Sequence, residues 1–238
     1  LVSAESGQKD NAIPSSARAV LAAEPPQFAA LQALVSELEA AFRAEHAVSD
    51  PALALTICRG TAANAALTEA STAKVAAFLA LIPNGIAAMS VDLPGLVQTS
   101  CNLGIFAVES GKLRCSSAVR SAVASQKTML LRRFAALCAA FGADLRLTGD
   151  YPAWEYKRES PLRDTMSGIF AAQYGYPPKI AAIHAGLECG LFAAKLPQLD
   201  CISFGPNLLD IHTPREKMSI SSVQRTWKLL CATLEALC

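Results

Sequence analysis

The spacing of apolar and polar residues changes several times along the chain, and each change marks an element. Leu1 to Ser6 and Ala17 to Ala22 read as short strands, and the polar stretch between them holds Gly7, Asp10, Asn11 and Pro14, the residue types that tight reversals need. Pro25 and Pro26 suit a helix start, after which Phe28, Leu31, Leu34, Val35, Leu38 and Phe42 recur along one helical face. Leu53 to Cys58 predicts another short strand. A second helix is predicted from about Thr68 to Leu81, stopped by Pro83 and followed by Asn84-Gly85, which tolerate a left-handed turn. Leu96 to Val108 and Leu113 to Val119 flank Glu109-Ser110-Gly111-Lys112 and predict an antiparallel hairpin, with a helix from Ser125 to Phe141.

From Leu1 to about Tyr151 strands and helices therefore alternate in two similar passes, the pattern of an α+β sandwich. After Tyr151-Pro152-Ala153-Trp154 the pattern changes. It predicts a helix over Pro161 to Tyr174, a strand over Lys179 to Ile183, a glycine-containing loop, a strand over Cys201 to Ser203 and a terminal helix from about Ser221, an α/β order. The 238 residues suffice for one large domain or two modest ones, either with a core that needs no disulfide.

Composition narrows the class. Apolar residues make up 52% but aromatics only 6%, so alanine carries much of the apolar content and favours closely packed helices. The 21 basic and 20 acidic side chains nearly cancel, which removes the field needed to collect nucleic-acid phosphates. No stretch approaches the roughly 20 apolar residues that span a bilayer, since Phe134 to Phe141 is flanked by Arg132, Arg133 and Asp144. Eight cysteines stand singly, without knuckle or redox spacing, and read as reduced, mostly buried thiols of a cytoplasmic protein. The first methionine is Met89, so translation is expected to start upstream of Leu1, and Glu5, Lys9 and Asp10 break up any signal-peptide core.

Several short runs hold groups capable of chemistry. Ile183-His184-Ala185-Gly186-Leu187-Glu188-Cys189-Gly190 sets an imidazole, a carboxylate and a thiol where a strand should end, the place where α/β sheets put ligands. The run reads equally as a strand-to-helix turn whose glycines relieve backbone crowding. Ser203-Phe204-Gly205-Pro206-Asn207 leads into Ile211-His212-Thr213-Pro214-Arg215-Glu216, where proline and glycine fix the backbone around one imidazole, a suitable zinc ligand. A single histidine beside a helix start is more often a surface residue, and Glu216 equally suits the next helix as an N-terminal charge. Asn11 before Ile13-Pro14, and Arg120 at a strand end, each have ordinary structural readings when taken alone. Cys189 is a nucleophile only if a base is held within hydrogen-bond reach. The chain has no Gly-x-Ser-x-Gly elbow and no phosphate-cradling glycine loop.

Taken together, Asn11-Ala12-Ile13-Pro14, Pro83-Asn84-Gly85, Tyr151-Pro152-Ala153-Trp154, the His184 to Phe192 run and His212-Thr213-Pro214 resemble the bacterial aminoacyl-histidine dipeptidases in order and spacing. Those enzymes belong to the co-catalytic di-zinc aminoacylase and carboxypeptidase superfamily. The resemblance implies that residues 1–151 form most of an inserted lid, a two-layer α-β sandwich, and residues 152–238 the C-terminal part of a zinc-exopeptidase α/β domain. It implies hydrolysis of Xaa-His dipeptides such as carnosine by a cytoplasmic homodimer that carries two zinc ions when complete. It further implies that His212 completes one zinc site, while Asn11, Arg120 and the Gly186 backbone hold the dipeptide. The chemistry agrees, because a planar guanidinium fork suits a C-terminal carboxylate and an asparagine amide can donate to a developing oxyanion.

The family's other zinc ligands, its bridging aspartate and its general-base glutamate belong ahead of the lid and have no counterpart here. Catalytic zinc takes about three protein ligands, so residues 1–238 alone are expected to be inactive and to bind no zinc. Apolar surface and sheet edge normally covered by upstream strands should stay exposed and favour association. Two other readings compete. One is a non-catalytic lid or dimerisation module pairing through strand edges; the other is a peptidase of the same superfamily with a different dipeptide or an acyl-amino-acid substrate.

Overall fold

The structure is a computed structural model that describes residues 1–60, 65–182, 186–211 and 213–238. In chain order these form β1 (Ser3–Ser6), β2 (Ala17–Val20), α1 (Gln27–Glu45), α2 (Glu69–Leu81), β3 (Gly85–Met89), β4 (Val97–Glu109), β5 (Lys112–Ser121), α3 (Ala124–Phe141), α4 (Pro161–Tyr174), α5 (Glu188–Lys195), β6 (Leu208–Leu209), β7 (Lys217–Met218) and α6 (Ile220–Leu237). The described residues thus make a mixed α/β chain with antiparallel strand pairing. They pack as two compact units, Leu1–Ile82 with Asn102–Ala118, and Pro83–Cys101 with Val119–Cys238. This division by packing is distinct from the functional boundary expected at residue 151.

In the first unit β1 lies between β2 and the C-terminal half of β4, antiparallel to both, with Ala4 opposite Ala19 and Val108. The alternation of β1 is that of a half-buried strand: Ala4 and Ser6 point inward and Glu5 outward. Ala4, Val108, Phe78 and Ile82 supply buried apolar surface. The helix α2 begins where Thr68 accepts from the Ser71 N–H at 3.1 Å, a side-chain N-cap. By contrast α1 has no fully buried residue, and Leu34, Leu38 and Phe42 stay exposed.

Leu53 to Cys58 is not a strand. Leu53, Leu55 and Ile57 are half-buried and their neighbours exposed, so the period of two is present, yet among the described residues no segment completes a ladder. The β4–β5 turn holds Ser110 and Gly111 at φ 51° and 75°, the left-handed pair that matches strand twist in a two-residue hairpin.

In the second unit β3, absent from the sequence reading, pairs antiparallel with the start of β4 through an irregular register. The inward face of α3 repeats every four residues as Leu130, Phe134 and Cys138, and Leu130 has 0% exposure. Gly142 closes α3 in the left-handed region. The helix α4 matches its predicted limits because Ser160 caps it, Pro161 occupies its first turn and Gly175 ends it at φ 78°. Met166 and Leu229 are buried, and the Tyr174 hydroxyl donates to Arg225 O at 3.3 Å, joining α4 to α6.

Four expectations for this unit fail. Residues 179–182 and Cys201 to Ser203 are not strands, since among the described residues no segment pairs with either, while Ile183 lies outside the described residues. The predicted glycine loop contains α5, whose Gly190 is buried. Glu216 precedes β7 and lies outside the first turn of α6, which holds no acidic residue. The cysteines also differ from expectation: all eight are free thiols, but only Cys101 and Cys138 are buried.

Candidate functional site

Asn11 belongs to the first unit, on the turn between β1 and β2. The turn is fastened to β4. Asn102 on that strand donates from Nδ2 to Asp10 O at 2.9 Å and to Ala12 O at 2.8 Å, bracketing Asn11. Gly104 admits the Asp10 backbone and Gly7 admits the Gly104 carbonyl so closely that a Cβ at either glycine would overlap main chain. Gly7 also sits at φ 76°. The Asn11 side chain is left exposed on a backbone held from both sides.

Arg120 lies in the second unit, next to last in β5. The corner from β5 into α3 is set by a buried polar group, Thr99, whose hydroxyl bonds Ser121 Oγ at 2.8 Å and also meets Gln126 Oε1. Ser121 Oγ in turn accepts from Val123 N–H at 3.1 Å. A buried hydroxyl without partners costs free energy, so this cluster holds the strand end in one arrangement.

Gly186 also lies in the second unit, and its surroundings show what the glycines of this run make room for. A Cβ at Gly186 would stand 2.7 Å from Tyr151 Cδ1 and 3.0 Å from Cε1 and Cγ. A Cβ at Gly190 would stand 3.0 Å from Pro152 O and 3.4 Å from Trp154 Cβ. The two glycines therefore make room for residues 151–154, joining two motifs that sequence spacing left separate. That segment is fastened to the start of α3: Glu155 Oε1 accepts the Ala124 N–H at 2.9 Å, and Lys127 Nζ reaches Asp150 Oδ1 at 2.5 Å and Tyr151 O at 2.6 Å. The carboxylate at a helix N-terminus is favourable for the exposed N–H groups there.

Beside Leu187 opens a cavity of about 740 Å³, contained in the second unit and lined among others by Trp154, Tyr156, Lys157, Phe170, Ile202 and Phe204. Arg120 and Gly186 are not among its described lining residues. Arg163 lies over the Tyr156 ring at 5.0 Å and donates to Lys157 O at 2.6 Å and Arg158 O at 2.5 Å. Asp200 accepts from Ser160 Oγ at 2.7 Å and from Leu162 N–H at 2.9 Å. Burial pushes the Asp200 carboxyl up, but these two hydrogen bonds, with Lys157 and Arg163 nearby, outweigh it and hold the group below its ordinary value.

The Cys201 thiol is pushed up to about 11 by burial, by its hydrogen bond and charge interaction with Cys189, and by Asp200. That direction disfavours the thiolate form of Cys201. His184 and His212 lie outside the described residues. The described flanks of His212 are ordered by β6 and β7, by Thr213 Oγ1 donating to Asp210 O at 2.7 Å, and by Asn207 N–H donating to Ser222 Oγ at 2.9 Å. Among the described residues no three His, Cys, Asp or Glu side chains converge where a metal ion would fit. No described helix is long and apolar enough to cross a membrane.

A model of peptidase family M20/M25/M40 matches residues 13–236. The chain belongs to that family. It is 31% identical over 235 residues to the cytosol non-specific dipeptidase of Escherichia coli (strain K12), covering 99% of this chain and 48% of that protein. The crystal structure of aminoacylhistidine dipeptidase from Vibrio alginolyticus matches with a TM-score of 0.93 and 30% identity, again over 99% of this chain and 48% of the other. The chain thus spans about half the length of the relatives it matches.

The comparison agrees with the resemblance seen in the residues. Asn102, Lys127, Glu155 and Asp200 went unnoticed in the sequence. Each acts on a partner 31 to 92 positions away except Lys127, whose targets are 23 and 24 away, so no local spacing marks them.

Proposed function

We propose that the chain is the lid and C-terminal catalytic part of a metal-dependent Xaa-His dipeptidase, with residues 1–151 as lid and 152–238 as catalytic segment. The observation that carries this reading is the match to an aminoacylhistidine dipeptidase structure along 99% of the chain. In it Arg120 takes the dipeptide's free carboxylate through its planar fork, Asn11 donates to the peptide carbonyl oxygen, and the Gly186 backbone fixes the substrate's orientation. The turn that carries Asn11 and the corner that carries Arg120 are both braced by hydrogen bonds, as preorganised substrate contacts require.

The described residues alone do not form a metal cage. In this reading His212 is one ligand to zinc, and the remaining ligands and the general base come from polypeptide corresponding to the other half of the relatives. Residues 1–238 alone are then inactive. The cytoplasm is the proposed location, in keeping with the word cytosol in the name of the Escherichia coli relative. A homodimer is proposed because the apolar positions Leu34, Leu38 and Phe42 of α1 are uncovered.

The test is hydrolysis of carnosine and a panel of other dipeptides by the product of the whole gene supplied with zinc, beside His212→Ala. Loss of at least about a hundredfold in the variant is expected. Unchanged hydrolysis removes His212 from the metal site, and equal rates on dipeptides without histidine remove the Xaa-His preference.

A further inference from the structure

Tyr151 stands where two motifs meet. Its ring covers the face of Gly186 from which a side chain would project, at 2.7 to 3.0 Å from the position of a Cβ there. Glycine elsewhere in a loop explores many backbone conformations, and an exposed glycine without a neighbour on that face loses the most entropy when a ligand orders it. Here the ring blocks rotation toward one side. The main chain that carries the ring is itself anchored, because Lys127 on α3 donates to Tyr151 O at 2.6 Å and pairs with Asp150 at 2.5 Å. Lys127 is well placed to hold this geometry, with only 18% of its side chain exposed. Four residues on, Gly190 receives Pro152 and Trp154 in the same way, so the contact is a continuous seam.

We infer that Tyr151 is a positioning residue: its ring, tethered to α3 through Lys127, holds the Gly186 backbone in the conformation that meets the dipeptide. The inference rests on the reading of Gly186 as a substrate contact. It assigns no chemistry to the phenol hydroxyl, so only the ring should matter. A backbone held in advance binds substrate and transition state alike, so its loss should appear in KM while kcat is preserved.

Two measurements test this. In the 238-residue chain, amide hydrogen exchange over Gly186 to Gly190 should be about tenfold faster in Tyr151→Ala and return to wild type in Tyr151→Phe. In the whole-gene product, Tyr151→Ala should raise KM for carnosine about tenfold with kcat within about twofold, Tyr151→Phe should restore KM, and Lys127→Gln should give a smaller rise. Lys127→Gln keeps the ring but removes the charged tether on its main chain, and serves if Tyr151→Ala does not fold. Exchange that is equal in Tyr151→Ala, Lys127→Gln and wild type overturns the inference, as does a fall in kcat at constant KM. A wild-type product that hydrolyses no dipeptide overturns instead the peptidase reading on which the inference depends.

Discussion

Replacing Asp200 by asparagine removes the charged acceptor that ties the Cys201 segment to the start of α4. The carboxylate accepts from Ser160 Oγ at 2.7 Å and from Leu162 N–H at 2.9 Å, and Ser160 is also the N-cap that accepts from Arg163 N–H at 3.2 Å. Asparagine keeps one acceptor oxygen and presents an NH₂ group where the second donor needs an acceptor. Each hydrogen bond to a charged group contributes about 1.5–3 kcal/mol, so losing one and weakening the other costs about 2 kcal/mol once solvent replaces part of it at this half-buried site. With an m-value of about 3 kcal/mol/M the urea midpoint should fall by about 0.7 M at neutral pH.

The effect has a pH signature with a definite sign. The folded carboxyl titrates below 3.8, its ordinary value in the unfolded chain. Its stabilisation is therefore complete above that value and is lost as pH falls through the folded value, because the unfolded state takes up the proton first. Asparagine takes up no proton, so the gap between wild type and Asp200→Asn should narrow progressively as pH falls below 3.8. Urea unfolding of both proteins from neutral pH into acid is the assay. A gap under about 0.5 kcal/mol at neutral pH, or one that persists unchanged to about pH 2.5, refutes the reasoning.

Gly104→Ala should cost about 1–3 kcal/mol, since its Cβ has to push Asp10 main chain off β4, and the loosened Asn11 turn should raise KM for carnosine in the whole-gene product. Leu130→Ala, at a fully buried position of α3, should cost about 2–5 kcal/mol by chemical denaturation. Arg158→Ala breaks the 2.8 Å pair with Asp92, but 77% of the arginine side chain is exposed, so thermal and urea midpoints should move by less than about 0.5 kcal/mol equivalent. A large loss there would mean that the pair is shielded from solvent.

Local information in the sequence was enough for the helices that carry their own punctuation. Ser160, Pro161 and Gly175 delimit α4, Thr68 opens α2 and Gly142 closes α3, because caps and left-handed turns are chosen by the residue at that position. The Ser110-Gly111 reversal is legible for the same reason. The family resemblance was also legible from short motifs, and a relative 31% identical over 235 residues agrees with it.

Strands depended on more than the residues in them. Leu53 to Cys58 and Cys201 to Ser203 have the apolar character of strands but form none, whereas Gly85 to Met89 forms one against β4. A ladder is a property of two segments, and the second is distant in sequence. The site followed the same rule. Asn11 was visible as a turn residue, yet Asn102 and Gly104, which hold that turn, lie some 90 residues beyond it. The meaning of Gly186 and Gly190 likewise came only when residues 151–154 were seen to fill the space beside them, since the room a missing side chain leaves has no use until another segment arrives to occupy it.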